Sequence, residues 1–203
     1  MSEHSKPSHQ RPEHPDFWDH RFEQGVTPWD AGGAPLCLQR FASQHQSETP
    51  PRVLIPGCGS AHDAAYLDRL GWPVVALDFS AAAVAVARQN LGAWGGTLLH
   101  DDFFNHQPEA PYHLIYERAF LCALPRKLWP DYGQRMAQLL APEGLLAGFY
   151  LFGDDLKGPP FPIQRPQLEE LLSPYFQLID EQEASDSLAV FAGRERWLLW
   201  QRR

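Results

Sequence analysis

The stretch VLIPGCGSAHDAAYLDRLGWPVVALD, residues 53–78, contains two apolar runs separated by a glycine-rich turn and a segment with helical spacing. Short apolar runs bounded by turn residues are typical of buried strands. Two such strands connected by a helix form a βαβ unit, in which the strands are parallel. This stretch therefore predicts a parallel sheet that is covered by helices.

The same alternation continues along the chain and then changes near its end. We predict helices at 17–25 and 36–46 before the stretch. After it we predict a helix at 79–90, a strand and then a loop within 97–104, a strand at 112–117, a helix at 125–144 and a strand at 145–153. Two strand-like segments, 177–184 and 194–202, then follow one another without a helix between them. The expected fold is a Rossmann-like, doubly wound α/β fold. Its seven-stranded sheet is mostly parallel, ends in an antiparallel C-terminal β-hairpin and has helices on both faces.

Composition and charge exclude several classes of protein. The chain has 203 residues, of which 44% are hydrophobic and 21% charged, as expected for one folded domain rather than a disordered or membrane protein. Its net charge of −8 disfavours a nucleic-acid partner, because the field would repel polyphosphates. Three cysteines without close spacing do not form a disulfide framework or a zinc knuckle. We find no signal peptide and no membrane span, and expect a reducing, cytoplasmic setting.

The N-terminus differs in composition from the rest of the chain. Residues 1–15 are polar, rich in proline and histidine, and without periodicity, so we expect a disordered tail there. Residues 16–203 are predicted to form a single domain, which begins with a helical segment over 16–50. The histidines show no metal-ligand spacing, and we predict no metal site.

The glycine turn after the first predicted strand is the strongest signal for a ligand. Gly57 and Gly59 allow close approach of the backbone to a cofactor, and Asp78 follows Gly59 by nineteen residues at the end of the second strand. A carboxylate there can accept two hydrogen bonds from a ribose diol. Enzymes that use NAD and enzymes that use S-adenosylmethionine share this pattern, but His62 replaces the third glycine of the dinucleotide form, which disfavours NAD. Ser80 is a candidate N-cap, and we also assign it to the cofactor site.

The loop after the third predicted strand supplies further candidates. Asp102 can accept a hydrogen bond from an adenine amine, and the ring of Phe103 can stack on the base. Asp101 stands next to Asp102 and can exchange roles with it. The alternative is that the acid caps a turn and the phenylalanine belongs to the core.

Several segments together resemble one family. They are FWDHRFEQGVTPWD (17–30), VLIPGCGSAHDAAYLDRLGWPVVALDFS (53–80), DDFF (101–104), YERAFLCALP (116–125) and GPPF (158–161). The chain resembles the thiopurine S-methyltransferase family, which includes thiocyanate, thiol and halide methyltransferases. The resemblance implies a class I methyltransferase that transfers a methyl group from S-adenosylmethionine to sulfur, or another soft nucleophile, of a small molecule.

The resemblance also assigns roles to individual residues. It implies that Trp18, Phe22 and Trp29 fold over the cofactor, so that the segment 16–50 closes the active site. The remaining cofactor-binding positions that it implies are Gly57, Gly59, Asp78, Asp102, Phe103 and Glu117.

Arg118 is the predicted catalytic residue, because the family places a residue facing the methyl-transfer site directly after the fourth strand. A guanidinium there can attract a thiolate or another small anion and keep it ionised. The thiopurine enzymes have Asp-Arg at this position, whereas this chain has Glu117-Arg118, and Phe120–Leu124 is more similar to the thiocyanate and halide branch. A salt bridge from Arg118 to Glu117 or Asp102 is the alternative.

Methyl transfer from a sulfonium depends on alignment rather than on a dedicated acid or base, so a missing Ser/His/Asp constellation is expected. Acceptors left open are thiols, sulfide, thiocyanate, halides and selenium or tellurium species, as well as an oxygen or nitrogen nucleophile. A non-catalytic binding module and a nicotinamide-dependent oxidoreductase are the alternatives from other classes. The intact glycine turn disfavours the first, and the hairpin ending disfavours the second. We expect a monomer, in which residues 152–163 form either a lid or a rigid connector.

Overall fold

The computed structural model describes residues 7–203, which form one seven-stranded sheet. The strand order is β3-β2-β1-β4-β5-β7-β6; strands β1 to β5 are parallel, and β7 is antiparallel to β5 and β6. The strands are β1 (Val53–Pro56), β2 (Val74–Asp78), β3 (Thr97–His100), β4 (Tyr112–Arg118), β5 (Leu140–Leu151), β6 (Phe176–Glu183) and β7 (Glu195–Arg202). This arrangement confirms the predicted fold.

Residues 7–203 contain six α-helices, of which five cover the two faces of the sheet. They are α1 (Pro15–Glu23), α2 (Leu36–Gln44), α3 (His62–Arg69), α4 (Ala81–Leu91), α5 (Trp129–Leu139) and α6 (Arg165–Leu172), with 3₁₀ turns at Ser8–Gln10, Leu121–Ala123 and Arg126–Leu128. On one face α5 and α6 pack against Leu54 and Trp200, and on the other α2, α3 and α4 pack against Ile55 and Trp197. Successive strand residues thus contribute to opposite cores, as the alternation of side chains along a strand requires. None of the helices within residues 7–203 is long and apolar enough to cross a membrane.

The fifth strand begins earlier than the sequence predicts. The predicted helix over 125–144 is wrong at both ends, because α5 spans Trp129–Leu139 and the chain enters β5 at Leu140. Pro142 lacks the N–H that a helix would need, and Gly144 lies in an irregular part of the strand rather than at a helix end. Pro130 lies in the first turn of α5, where a helix tolerates proline because the N–H it lacks has no partner within the helix.

The N-terminus is more ordered than the sequence indicates. Residues 1–6 of the expected disordered tail lie outside the described residues, but Ser8–Gln10 forms a turn of 3₁₀ helix. The indole of Trp18 donates a hydrogen bond to the carbonyl of Pro12 at 2.8 Å. Glu13 forms salt bridges to Arg11 and Lys127. These contacts tie residues 7–15 to the domain, and the expectation of disorder does not hold for them.

Candidate active site

A cavity of about 760 Å³ lies at the carboxyl ends of β1, β2 and β4, beneath the N-terminal segment. Ligands of open α/β sheets bind at this edge, where the strand order reverses between β1 and β4. The predicted site residues that line the cavity are Trp18, Phe22, Trp29, Gly57, Gly59, Asp78, Asp102, Phe103 and Arg118. Ser80 and Glu117 do not line it.

The glycine turn has a left-handed backbone at both glycines, and at Gly57 it also leaves no room for a side chain. Gly57 and Gly59 have φ values of +58° and +51°, a conformation that favours glycine. A Cβ atom on Gly57 would lie 2.6 Å from the ring of Phe120. At Gly59 it would lie 3.5 Å from the ring of Phe22. The turn therefore brings bare backbone to the wall of the cavity between two aromatic rings.

Asp78 is held at the end of β2 by two backbone N–H groups. Its carboxylate accepts hydrogen bonds from the N–H of Gly59 at 3.0 Å and from the N–H of Ser80 at 2.9 Å. Burial raises the pKa of Asp78 to about 6, although both N–H groups act in the opposite direction. Each carboxylate oxygen has a further lone pair, so the group can still accept hydrogen bonds from a ligand diol.

Ser80 has a different role from the one predicted for the cofactor site. Its buried hydroxyl accepts the N–H of Ala83 at 3.0 Å, and so caps α4 as the sequence indicates. The same hydroxyl donates to Asp19 at 2.6 Å, and Asp19 also accepts the N–H of Ala82 at 3.0 Å. The assignment of Ser80 as a cofactor ligand is therefore not supported, because its hydroxyl already accepts a hydrogen bond within α4 and donates one to Asp19 of α1. Asp19, which sequence reasoning missed, fastens α1 to the first turn of α4.

The aromatic residues of the N-terminal segment form one cluster over the cavity. The ring of Trp29 meets Trp18 and Phe22 edge to face, with centroids 5.6 and 6.1 Å away. Asp30 joins this cluster to the glycine turn, since it accepts a hydrogen bond from the Ser60 hydroxyl. A second contact runs from Asp30 to His62 Nε2 at 3.4 Å. The segment is thus held against the cavity by polar contacts at both ends of the aromatic cluster.

The loop after β3 presents two carboxylates to the cavity. Asp102 accepts the N–H of Phe104 at 3.0 Å and the side-chain amide of Asn105 at 2.7 Å. Asp101 contacts His106 Nδ1 at 2.7 Å. Phe103 both lines the cavity and packs in the core, where only 3% of it is exposed. The contact of Asp102 with adenine stays a prediction.

Glu117 does not line the cavity, and the alternation of β4 places its side chain on the other side of the sheet from that of Arg118. It is fully buried and accepts hydrogen bonds from the N–H groups of Phe120 at 3.0 Å and Leu121 at 3.4 Å. The Tyr132 hydroxyl donates to it at 3.4 Å. Burial raises the pKa of Glu117 to about 8. Glu117 therefore holds the turn after β4 from inside the core, and its contact with the cofactor stays a prediction.

Arg118 faces the cavity. Its guanidinium lies 5.2 Å from the centroid of Phe149, and its Nε is buried without a hydrogen-bond partner. Within residues 7–203 no salt bridge connects Arg118 to Glu117 or Asp102. The alternative role in such a salt bridge is therefore not what the structure shows.

Comparison with known proteins assigns the chain to a family. Residues 13–203 match the family model of thiopurine S-methyltransferase. The chain belongs to the thiopurine S-methyltransferase family. It is 32% identical to thiocyanate methyltransferase 1 of Brassica oleracea, over 91% of this chain and 84% of that protein. It is 30% identical to a thiopurine S-methyltransferase of Vibrio cholerae, over 77% of this chain and 80% of that protein.

The fold has the same shape as solved methyltransferases. Magnesium protoporphyrin IX methyltransferase from Synechocystis with bound S-adenosylmethionine superposes with a TM-score of 0.75 at 13% identity, over 100% of both chains. Membership of the family makes this chain an S-adenosylmethionine-dependent methyltransferase. The cavity fits such a cofactor, because the bare turn, the Asp78 carboxylate and the aromatic cluster offer backbone, acceptor oxygens and ring faces.

Sequence reasoning missed four residues of the site for different reasons. Asp19 and Asp30 stand in motifs that were recognised for their aromatic residues, and their partners are distant in the chain. Phe120 follows β4 and covers Gly57, which only the tertiary packing reveals. Asp63 lines the cavity from the first turn of α3, where an acid is ordinarily explained by the helix dipole.

Proposed function

We propose that this member of the family transfers the methyl group of S-adenosylmethionine to sulfur, or to another soft nucleophile, of a small molecule. The observation that carries the proposal is the position of Arg118 at the cavity wall, free of a salt bridge within residues 7–203. A cation beside an apolar wall favours a small anionic acceptor. That wall consists of Trp29, Cys122, Pro159, Pro160, Val190 and Phe191.

The cofactor half of the cavity is assigned to the glycine turn and the two loops beside it. We propose that the backbone at Gly57 and Gly59 admits the cofactor, that Asp78 accepts the ribose hydroxyls, and that Asp102 accepts the adenine amine while Phe103 contacts the base. Asp101 is the alternative for the amine. These roles are supported by the free lone pairs of Asp78 and by the shared cavity.

We assign the aromatic cluster the role of contacting the positively charged sulfur of the cofactor. S-adenosylmethionine supplies a methyl group on a positively charged sulfur, which makes an added acid catalyst unnecessary. The rings of Trp18, Phe22 and Trp29 offer negative faces and edges close to the turn, and a cation near such a face is stabilised by about 0.5–2 kcal/mol. With the polar ties of Asp19 and Asp30, this segment, residues 16–50, closes the site against water.

We assign Arg118 the role of binding the methyl acceptor. A positive charge lowers the pKa of a thiol and holds the resulting anion in line with the methyl group. The chain's contribution to the rate is therefore orientation, exclusion of water and stabilisation of the anion.

A second candidate acceptor is favoured by the relatives. Thiocyanate methyltransferase 1 and a probable thiol methyltransferase 2 of Arabidopsis thaliana are 30% and 28% identical to this chain. Thiocyanate therefore stands beside thiols as an acceptor, and halides and selenium or tellurium species are further soft acceptors that the proposal includes. A small-molecule oxygen or nitrogen acceptor is the remaining alternative, although a cation at the cavity wall and an apolar lining favour soft anions over neutral amines.

We further propose that the protein works as a monomer in the cytoplasm, with a small molecule and no nucleic acid as its partner. The three cysteines are free, which suits a reducing compartment. Residues 152–163 are anchored by Arg126, which donates to the carbonyls of Asp155, Leu156 and Pro162. These bonds support a connector rather than a lid.

Calorimetric titration with S-adenosylhomocysteine, with NADH in parallel, tests the cofactor assignment. Micromolar binding of the first and no binding of the second is expected, with a loss of about tenfold in affinity for Asp78→Asn. An acceptor screen with thiols, thiocyanate and iodide then tests the acceptor class. Turnover of amines alone would contradict the proposal.

A further inference from the structure

The loop that follows β3 is held by a buried imidazole that is not part of the cavity wall. Residues 101–104 of this loop line the cavity, whereas His106 does not. His106 is 5% exposed, and its Nδ1 lies 2.7 Å from Asp101 Oδ2. Its Nε2 lies 2.8 Å from the hydroxyl of Tyr112, at the start of β4. The imidazole therefore touches the loop without facing a ligand.

The contacts of His106 form a series that ends at the adenine loop. An ionised carboxylate only accepts hydrogen bonds, so Nδ1 of His106 carries the hydrogen and donates it to Asp101. The other oxygen of that carboxylate, Oδ1, accepts the N–H of Asp102 at 2.9 Å. Hydrogen bonds thus connect Tyr112, His106 and Asp101 to the backbone of Asp102.

The carboxylates of this loop need donors because they repel one another. Asp101 and Asp102 bring two negative charges to one cavity, and the N–H of Asp101 donates to the carbonyl of Asp78 at 3.1 Å. The side-chain amide of Asn105 donates to Asp102 at 2.7 Å. Within residues 7–203, His106 is the only side chain that donates to Asp101. Loss of His106 would therefore leave the Asp101 carboxylate free to turn away from its neighbour.

Stability alone explains only part of this arrangement. Arg135 donates to the carbonyls of Phe103 and His106, the first at 3.1 Å. The N–H of His106 donates to the carbonyl of Asp102 at 2.8 Å. These bonds hold the backbone of the loop and do not involve the Asp101 carboxylate. The contribution that only the imidazole makes is the orientation of a carboxylate that lines the cavity.

We propose that His106 is a positioning residue for adenine recognition, which fixes Asp101, and through it Asp102, in the orientation that accepts the exocyclic amine. The inference rests on the proposed function, since it concerns the adenine loop of that same cofactor site. Its consequence is selectivity for the base, because a site built to hydrogen-bond a group rejects an analogue that lacks it.

The test measures this selectivity by calorimetry with S-adenosylhomocysteine and S-inosylhomocysteine, in which a carbonyl oxygen replaces the amine of the base. The wild type should prefer the adenine compound by about tenfold or more, because a carboxylate repels that oxygen. His106→Phe keeps a ring and removes both hydrogen bonds, and the preference should fall below about threefold. His106→Asn, whose amide can replace the Nδ1 donor, should restore most of it. An unchanged preference in His106→Phe would overturn the inference.

Two further variants separate positioning from a general loss of stability. His45→Phe is the matched control, since it removes an imidazole hydrogen bond to the Phe41 carbonyl outside the cavity, and it should leave the preference unchanged. Asp101→Ala should lower the preference as far as His106→Phe does, and the double variant no further. The Asp101 side chain is 36% exposed, so this variant carries the test even where His106→Phe does not fold. A preference equal to that of the wild type in Asp101→Ala, or a further fall in the double variant, would refute the inference.

Kinetics and the wild-type titrations complete the test. In His106→Phe the KM for S-adenosylmethionine should rise about tenfold, whereas kcat at saturating cofactor should change less than about twofold. A parallel loss in kcat would indicate a general structural role and overturn the inference. A wild type that binds both compounds equally would refute the inference and leave the cofactor assignment in place. A wild type that binds neither compound would refute the proposed function and the inference together.

Discussion

The two last residues of β4 show two opposite uses of an ionisable side chain. Glu117 faces the core beside α5, where two backbone N–H groups and the Tyr132 hydroxyl donate to its carboxylate. Arg118 faces the cavity, and its buried Nε has no partner. Two consecutive residues therefore differ: the hydrogen-bonding groups of Glu117 are satisfied within the fold, whereas Arg118 is available to a ligand.

The comparison shows why position on a strand matters more than residue type. A sequence motif such as Glu117-Arg118 suggests that both residues serve one site, but the alternation of a strand sends them to opposite faces. Glu117 shapes the site indirectly, because it fixes the turn whose residue Phe120 packs against Gly57. Arg118 acts on the acceptor directly in our proposal. The following predictions test this division.

The largest effect is expected for Arg118→Ala. Removal of the cation from the cavity wall should lower kcat/KM for anionic acceptors about 100-fold, in the range that loss of one charge-stabilising donor produces. The affinity for S-adenosylhomocysteine, measured by calorimetry, should be almost unchanged. Arg118→Lys, which keeps the charge but loses the planar fork, should give an intermediate rate. Parallel losses of turnover and cofactor affinity would contradict the assignment of Arg118 to the acceptor.

Glu117→Ala should have its effect on folding. The substitution leaves the N–H groups of Phe120 and Leu121 without their acceptor in a buried turn, and we expect a loss of about 3 kcal/mol in the free energy of unfolding. Urea denaturation measures it. Glu117→Gln retains an acceptor oxygen and is the control, with a loss below about 1 kcal/mol at neutral pH. Equal losses in the two variants would show that the backbone contacts are not the cause.

The carboxyl group of Glu117 should also make the stability of the protein depend on pH. Its pKa is raised to about 8 in the folded state from an ordinary value of 4.5, so the folded state binds the extra proton between these values. The contribution of Glu117 to the free energy of unfolding is therefore fully present below pH 4.5 and is lost as the pH rises through 8. Asp63 and Asp78, with pKa values of about 6, are mostly ionised above pH 6.5.

The measurement is Tm from pH 6.5 to 8.5 in the wild type and in Glu117→Gln. The Tm of the wild type should fall over this interval, because its free energy of unfolding decreases by on the order of 2 kcal/mol. One pKa unit corresponds to about 1.4 kcal/mol. Glu117→Gln should show a much flatter profile. Identical slopes would mean that Glu117 is already ionised in the folded protein.

The smallest effects are expected for two buried tyrosines on opposite faces. Tyr132 contributes its hydroxyl to Glu117 and to Tyr150, at 3.4 Å each, so Tyr132→Phe should cost about 1 kcal/mol. The Tyr116 hydroxyl is buried beside the Asp63 carboxylate without a hydrogen bond of good geometry, and Tyr116→Phe should be neutral or slightly stabilising. Thermal unfolding of the two variants compares them directly, and a larger cost for Tyr116→Phe would reveal a hydrogen bond on the cavity side.

Most of the fold could be predicted from the sequence, because it depends on local patterns. Apolar runs at 53–56 and 72–78, the glycine turn between them and the helix-free ending each report on a few neighbouring residues. The start of β5 was missed, since Leu140 continues the apolar pattern of α5 and only pairing with Tyr112 reveals a strand. The order of residues 7–15 was missed because their partners, such as Lys127, are distant in sequence.

The sequence by itself determined the sheet with its hairpin ending, the glycine turn with Asp78, and the family, because each is written in contiguous residues whose spacing is constrained by one strand or one turn. Only the tertiary structure decided which polar groups are satisfied. It assigned Ser80 to a helix cap and Glu117 to the core, and it placed Arg118 at the cavity wall without a salt bridge within residues 7–203. The physical reason is that hydrogen-bond satisfaction depends on groups brought together by folding across the whole chain.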